Sequence, residues 1–215
     1  MADLAKQIEL LNTQLASQLP LETLEVFNQS ILDLKRQNLE ANSIKVNNRF
    51  PDFILENALQ IPIHSHDILK KGKMVVTFYR GSWCPYCNLE LIALQNALSK
   101  IKTQNYTLVA ISPQSPDHSL TLVEKLNLNF EVLTDTNNSL AKQLGIAFQV
   151  QDFVLPYYQQ LGIELAVFNN NIENTLPFPA LFIIDQDSTL CYKFVDSDYT
   201  QRMPTEQLIE LLCQL

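Results

Sequence analysis

The segment from Met74 to Ile101 constrains the fold more than any other part of the chain. A mainly apolar run, MVVTFY, predicts a central strand, and the loop RGSW and the pair CPYC follow it directly. Beyond the second cysteine, apolar residues recur at the spacing of a helix that packs one face on a sheet. The segment therefore predicts a strand–turn–helix unit with Cys84 and Cys87 at the start of the helix.

Short apolar segments alternate with helical ones from Phe53 onwards, which predicts an α/β domain with a largely parallel sheet. A hairpin is predicted over ALFIIDQDSTLCYKF, with its turn at Gln186 and Asp187, before a last helix over PTEQLIELLCQL. The remaining predicted elements are strands over 106–112 and 130–135 and helices over 86–101 and 116–126.

The first 45 residues are predicted to be a helical arm. Their apolar residues recur every three or four positions in two runs that Pro20 separates. Residues 46–215 are predicted as the main domain. It includes an insertion, 146–178, that matches no regular element except a helical piece around LPYYQQLG. The pattern leaves open whether the arm packs on its own domain or forms a dimer contact.

The composition of the chain limits the classes of binding partner that we expect. The chain has 215 residues, 47% of them hydrophobic, and a net charge of −8, so neither nucleic acid nor a membrane surface is an expected partner. The first residues lack the basic start and apolar run of a secretory signal, and we expect a cytoplasmic protein. Four cysteines are too few for a disulfide scaffold, so a close pair indicates chemistry.

The C-x-x-C pair has the features of a redox site. Two cysteines three positions apart on a first helical turn need only a local adjustment to reach disulfide distance. The helix N-terminus stabilises a thiolate, and Arg80 on the preceding loop would add a full positive charge. Pro85 suits the first helical position because it has no N–H to leave unpaired.

Helical phase separates the two sulfurs. Cys87 shares a stripe with the apolar residues Leu91, Leu94, Leu98 and Ile101, whereas Cys84 lies at the cap and outside the stripe. We therefore expect Cys84 to be more exposed than Cys87. On this argument alone, Cys84 would attack the substrate and Cys87 would resolve the mixed disulfide.

Other cysteines and histidines give weaker signals. A C-x-x-C can form half of a zinc site, but its spacing from His64 and His66 matches no zinc pattern, so no metal is expected. Cys191 and Cys213 are interpreted as inert thiols.

Several ordered motifs from about Lys45 to the C-terminus are similar to the peroxiredoxin-like branch of the AhpC/TSA family, which has a thioredoxin fold. They are RFPDFIL, VVTFYRGSWCPYC, LVAISPQSPDHSLTLVEKLNLNFEVLTD, LAKQLGI and ALFIIDQD. The resemblance implies a thioredoxin-like central mixed sheet flanked by helices, with the arm as a helical leader.

The family motif P-x-x-x-T-x-x-C ends in the cysteine that attacks peroxide, which corresponds to Cys87. Cys84 then replaces the threonine and Arg80 the proline. Pro179 stands about where the family has an arginine that contacts the peroxide. It resembles instead the proline, usually cis, that faces the cysteines in thioredoxins, and CPYC is likewise the glutaredoxin form of the motif.

The resemblance implies a thiol peroxidase without a cofactor. Cys87 would become a sulfenic acid, Cys84 would form a disulfide with it, and thioredoxin, glutaredoxin or glutathione would reduce that bond. Arg80 is the predicted third catalytic residue, and Tyr79, Trp83 and Pro179 are the predicted substrate-binding residues. One alternative is a thiol–disulfide oxidoreductase with Cys84 as nucleophile, and another is a binding protein without catalysis. A homodimer is a further open expectation.

Overall fold

The structure is a computed structural model and describes residues 3–215. Met1 and Ala2, the first residues of the predicted arm, lie outside the described residues. The helices are α1 (Leu4–Gln18), α2 (Leu21–Gln37), α3 (Ser65–Leu69), α4 (Pro85–Thr103), α5 (Pro116–Leu126), α6 (Ser139–Gln143), α7 (Leu155–Gln160), α8 (Leu165–Phe168) and α9 (Thr205–Gln214). The strands are β1 (Ile54–Asn57), β2 (Pro62–His64), β3 (Lys73–Phe78), β4 (Tyr106–Ser112), β5 (Glu131–Thr134), β6 (Ala147–Gln149), β7 (Thr175–Pro177), β8 (Ala180–Ile184) and β9 (Leu190–Val195).

The described residues form a seven-stranded sheet in the order β2-β1-β5-β4-β3-β8-β9. The pairs β3–β4 and β4–β5 are parallel, whereas β8 and β9 on one side and β1 and β2 on the other add antiparallel pairs. The sheet is therefore mixed, and the expectation of a largely parallel sheet is wrong. The reason is that hairpins form both edges of the sheet: β8–β9, which was predicted, and β1–β2, which was not.

The central strands are buried on both faces. The residues of β8 are all buried, and so are those of β3 after Lys73. Phe182 on β8 packs against Phe50 and Phe78, with ring centroids 5.6 and 6.0 Å away. On the opposite face, α4 and α9 cover a second cluster that includes Ile183. This two-sided core holds the end of β3, and therefore the C-x-x-C, in a fixed position.

The arm helices pack on their own chain. In α1, Ile8, Leu11 and Leu15 lie against the cluster that contains both active-site cysteines. In α2, Leu34 enters the main core. Of the two alternatives that the sequence left open, the structure shows the arm packed on its own domain.

The segment after α6 contains more regular structure than the sequence indicates. Strands β6 and β7 pair as a separate antiparallel ribbon, with Phe148 opposite Leu176. Between them run α7 and α8, of which only the first was expected. We call residues 150–174 the cap segment because they cover the cysteines. The sequence pattern did not predict the ribbon because each of its strands has only three residues.

Candidate active site

The C-x-x-C lies at the junction of β3 and α4, as predicted. Cys84 is the N-cap residue of α4, and Pro85 begins the helix. The loop between the two elements is closed by the Cys84 N–H, which donates to the Gly81 carbonyl at 3.1 Å. Asn88 on the first turns of α4 donates to the carbonyl of Ser82 at 2.9 Å. The backbone thus fixes both cysteines relative to the end of the strand.

Gln114, which follows β4, forms hydrogen bonds that fix the loop between β3 and α4. Its Oε1 accepts from the Ser82 N–H at 2.8 Å, and its Nε2 donates to the hydroxyl of Tyr79 at 3.1 Å and to that of Ser119 at 3.2 Å. Gln114 is completely buried. The sequence analysis missed it because a glutamine after a strand has no distinctive pattern.

Both sulfurs are closed off from solvent. Cys84 is 1% exposed and Cys87 is 0% exposed. The expectation that Cys84 would be the more exposed thiol is therefore wrong. Helical phase describes only the face of α4 that meets the sheet, and it contains no information about the segments that cover the cap.

Three distant parts of the chain form that cover. Tyr158 of the cap segment lies beside Trp83, with ring centroids 5.4 Å apart, and beside Phe27 of α2 at 5.9 Å. Tyr199, which follows β9, meets the ring of Tyr86 at 5.7 Å. The Tyr86 hydroxyl in turn lies 2.6 Å from Asn12 Oδ1 of α1. The arm, the cap segment and the segment after β9 thus enclose the site together.

Arg80 lies inside this enclosure and is only 3% exposed. The centre of its guanidinium is 4.0 Å from the ring centroid of Tyr199 and 4.9 Å from that of Trp83. Its Nη2 donates to the hydroxyl of Tyr158, and its Nε has no hydrogen-bond partner in the described structure. Arg80 is therefore a buried cation surrounded by aromatic rings.

A second buried arginine reaches the sulfurs from the segment after β9. Arg202 Nη2 donates to Cys87 Sγ at 3.3 Å, and its Nε donates to Glu90 Oε2 at 2.6 Å. Arg202 Nη1 donates to the carbonyls of Tyr199 and Gln201. Pro179 thus keeps the position at which the family has its peroxide-contacting arginine, and Arg202 is a different arginine that reaches Cys87 from another part of the fold.

One signal in the sequence pointed to this partner. Glu90 lies three positions after Cys87, on the apolar stripe of α4. A carboxylate is rarely buried at such a position unless a cation is paired with it. Burial raises the pKa of Glu90 to about 7, although Arg202 opposes the shift. The pattern predicts that a cation exists but does not say which one, since Arg202 is more than a hundred residues away.

The two arginines act on the ionisation of the thiols. Burial alone would raise the pKa of Cys84, but the interaction with Cys87 and the charges of Arg80 and Arg202 outweigh it and lower that pKa to about 6. Burial, together with the interaction with Cys84, raises the pKa of Cys87. The dithiol therefore loses one proton readily and keeps the other, so near neutral pH it carries a single negative charge.

The predicted substrate-binding residues lie in different surroundings. Tyr79 is fully buried, and burial raises its pKa. Trp83 is partly buried, and its indole covers Arg80. Pro179 is buried between β7 and β8. No peptide bond within residues 3–215 is cis, so the cis proline that the resemblance suggested is not found.

Among the described residues, no group of three or more His, Cys, Asp or Glu side chains is placed to hold a metal ion, and His64 and His66 are exposed. No helix between residues 3 and 215 has the length and apolar character needed to cross a bilayer.

The fold and site define a class of protein: a thioredoxin-like domain with a buried dithiol at a strand–helix junction, flanked by two arginines. Solved structures share the fold. The peroxidoxin BcpB of Mycobacterium tuberculosis superposes with a TM-score of 0.63 at 16% identity, covering 80% of this chain and 98% of that one. A cysteine-to-serine mutant of peroxiredoxin 6 from Arenicola marina gives a TM-score of 0.65, also at 16% identity, over 79% and 72% of the two chains.

The chain belongs to the AhpC/TSA family, whose model matches residues 46–193. A peroxiredoxin named bcp from Buchnera aphidicola is 34% identical over 96 residues, which are 45% of this chain and 60% of that protein. Peroxiredoxin Bcp of Escherichia coli K12 is 24% identical over 105 residues, or 49% and 67% of the two chains. The match to the Buchnera protein thus spans three fifths of its length.

Proposed function

We propose that the protein is a thiol peroxidase that reduces hydrogen peroxide or organic hydroperoxides at Cys87. The observation that carries the proposal is the hydrogen bond from Arg202 to Cys87 Sγ, because it places a fixed cation at the sulfur that the family motif assigns to peroxide. The names of the relatives, which are peroxiredoxins, support the same chemistry.

The first step transfers one oxygen. The dithiol carries a single negative charge, and transfer of the Cys87 proton to Cys84 moves this charge to Cys87. The Cys87 thiolate then attacks the hydroperoxide, the O–O bond breaks, and the remaining oxygen leaves as an alcohol or water after taking up a proton. Arg202 and Arg80 would stabilise the negative charge that develops on the oxygens as this bond breaks. Cys87 then carries a sulfenic acid.

The second step closes the disulfide. Cys84 attacks the sulfenic acid, a Cys84–Cys87 bond forms, and the oxygen leaves as water. An external thiol reductant such as thioredoxin, glutaredoxin or glutathione restores the dithiol by exchange. The electrons pass between sulfur and oxygen throughout, so the cycle requires no cofactor.

Access to the sulfurs requires movement. Because both thiols are almost fully buried, the cap segment or α1 must shift before a hydroperoxide or a reductant reaches them. Tyr158 is the contact through which the cap segment holds Arg80 and Trp83. The proposed cycle therefore includes an opening step.

The proposal is tested by single-turnover reaction of reduced variants with hydrogen peroxide in the presence of dimedone. We expect Cys84→Ser to give a dimedone adduct on Cys87, detected by mass spectrometry, and Cys87→Ser to react much more slowly. Cys213→Ser is the matched control, since Cys213 is an exposed thiol. If neither Cys84→Ser nor the wild type reacts with peroxide, the proposal is wrong.

One observation favours a second function, that of a thiol–disulfide oxidoreductase with Cys84 as nucleophile. The pKa of Cys84 is lowered to about 6, which makes it the better-ionised thiol at neutral pH. In that case the wild type would reduce glutathione disulfide or insulin, and Cys87→Ser would accumulate a mixed disulfide on Cys84. The same pair of serine variants thus separates the two functions.

The proposal also includes a cellular compartment and an oligomeric state. We place the protein in the cytoplasm, where thioredoxin and glutathione are available as reductants. A homodimer stays a prediction that sedimentation measurements would test.

A further inference from the structure

The buried site contains two arginines but only one carboxylate. Arg202 is paired with Glu90 at 2.6 Å, and both side chains are buried. Arg80 forms no ion pair with any carboxylate among residues 3–215, and its one side-chain hydrogen bond is to the neutral hydroxyl of Tyr158. The positive charge of Arg80 therefore has no carboxylate to balance it.

A guanidinium does not give up its proton in a protein, and burying it without a counter-ion is unfavourable. The rings around Arg80 attract the cation but carry no net charge. The remaining negative group is the dithiol, because the rings of Trp83 and Tyr199 that enclose Arg80 also pack against the cluster that contains Cys84 and Cys87. The ionised dithiol is thus the counter-ion of Arg80.

No other group near the dithiol can take this place. Burial raises the pKa values of the surrounding tyrosines, which therefore stay neutral near pH 7. Asp198 is engaged by Lys35 at 3.1 Å. The side chains that α1 presents to the site are apolar, apart from Asn12. The groups facing the dithiol are Tyr79 from β3, Arg80 and Trp83 from the loop, Tyr86 and Glu90 from α4, Tyr158 from the cap segment, and Tyr199 and Arg202 from the segment after β9.

We propose that Arg80 makes the Cys84–Cys87 disulfide a stronger oxidant, which favours its reduction by a monothiol of the glutathione class. Forming the disulfide removes the negative charge and leaves the buried Arg80 without a counter-ion. Whatever stabilises the reduced form of a dithiol makes its disulfide a stronger oxidant. The inference rests on the proposed redox cycle and adds to it the class of reductant.

The reduction step balances as follows. Two monothiols lose two electrons and become one disulfide, while the Cys84–Cys87 bond breaks. One of the two sulfurs takes up a proton and the other stays a thiolate that faces Arg80. The second proton goes to solvent. The reaction therefore restores the charge pair as well as the dithiol.

The size of the effect follows from the ionisation of Cys84. A thiol with an ordinary pKa near 9 is about 1% ionised at pH 7, whereas a pKa of about 6 makes it about 90% ionised. The ionisation stabilises the reduced form by about tenfold in the equilibrium constant, which corresponds to about 30 mV for a two-electron couple.

The test is equilibration with glutathione redox buffers at pH 7, with the reduced fraction read by thiol alkylation and mass spectrometry. We expect Arg80→Met to shift the equilibrium constant toward the disulfide by about three- to tenfold, since Cys87 and Arg202 also lower the pKa of Cys84 and remain in the variant. Arg80→Lys, which keeps the charge, should stay within about threefold of the wild type. Arg49→Met is the control, because Arg49 is exposed and bonded only to Asp52. An unchanged constant in Arg80→Met would overturn the inference.

A second measurement uses the wild type alone, in case Arg80→Met does not fold. Only the reduced protein contains the thiol with the lowered pKa, so we expect its urea midpoint to rise relative to that of the oxidised protein as the pH increases from 5 to 7. A difference between the two midpoints that is the same at both pH values would contradict the inference. Neither measurement involves peroxide, so the proposed peroxidase activity can fail while this inference stands, and the reverse.

Discussion

Arg202 is the residue whose removal tests the site most sharply, because it joins a buried carboxylate to the proposed nucleophile. Its guanidinium is almost fully buried and donates to Glu90 at 2.6 Å and to Cys87 at 3.3 Å. Replacing Arg202 with Met leaves Glu90 buried without its cation and Cys87 without its donor. The unpaired Glu90 lowers the stability of the fold, and the missing donor lowers the reactivity of Cys87.

The expected magnitudes follow from the two contacts. Removing one partner of a buried ion pair costs about 3–5 kcal/mol of folding free energy. A hydrogen bond to a charged group contributes about 1.5–3 kcal/mol, so its loss would slow the attack on peroxide about 10- to 150-fold. Urea unfolding measures the first quantity, and stopped-flow single turnover with hydrogen peroxide measures the second.

The double variant Arg202→Met/Glu90→Gln separates the two effects. It removes the unpaired charge, so we expect more than half of the lost stability to return. The rate should stay low because Cys87 still lacks its donor. Glu90→Gln alone keeps the donor and should lose less than tenfold in rate. A double variant that regains its rate together with its stability would refute this account of Arg202.

Three other predictions concern the loop and the cover. Gly81→Ala places a Cβ in collision with Trp83 Nε1 at a positive φ, so the fluorescence of this single tryptophan should shift to the red; an unchanged spectrum would contradict the packing. The absorbance of the reduced protein at 240 nm should rise as the pH increases from 5 to 7, because a thiolate forms above the pKa of about 6 of Cys84; a midpoint near 8.5 would exclude the charge effect. Tyr158→Phe removes the hydroxyl that accepts from Arg80 and so weakens the hold on the cap segment, which should speed alkylation of the buried thiols about threefold or more; equal alkylation rates would contradict this role of the bond.

The sequence predicts the framework well where periodicity is strong. The long buried strand over 106–112, the helix over 116–126 and the junction that carries the C-x-x-C were all placed within one or two residues. Such segments are predictable because their burial patterns repeat over several turns or positions. The edge strands β1 and β2 and the ribbon β6–β7 were missed, since three or four residues contain too little pattern. The division into an arm of residues 1–45 and a domain of residues 46–215 stays a prediction.

Only those residues of the site that lie close together in the sequence were predictable. Cys84, Cys87 and Arg80 lie within eight residues, and the family motif brings them out together. Arg202 contacts Cys87 and Tyr158 contacts Arg80 from segments 70 to 120 residues further along the chain, so no spacing rule finds them. Their positions follow from how β9 and the cap segment fold back over α4. The failed prediction of an exposed Cys84 has the same cause.

The central claim is that a hydroperoxide oxidises this dithiol. The most direct test mixes reduced wild-type protein with hydrogen peroxide, cumene hydroperoxide or glutathione disulfide under pseudo-first-order conditions, with formation of the Cys84–Cys87 disulfide followed by mass spectrometry. The account predicts a second-order rate constant for at least one hydroperoxide that is ten or more times that for glutathione disulfide. A faster reaction with glutathione disulfide than with either hydroperoxide would contradict it.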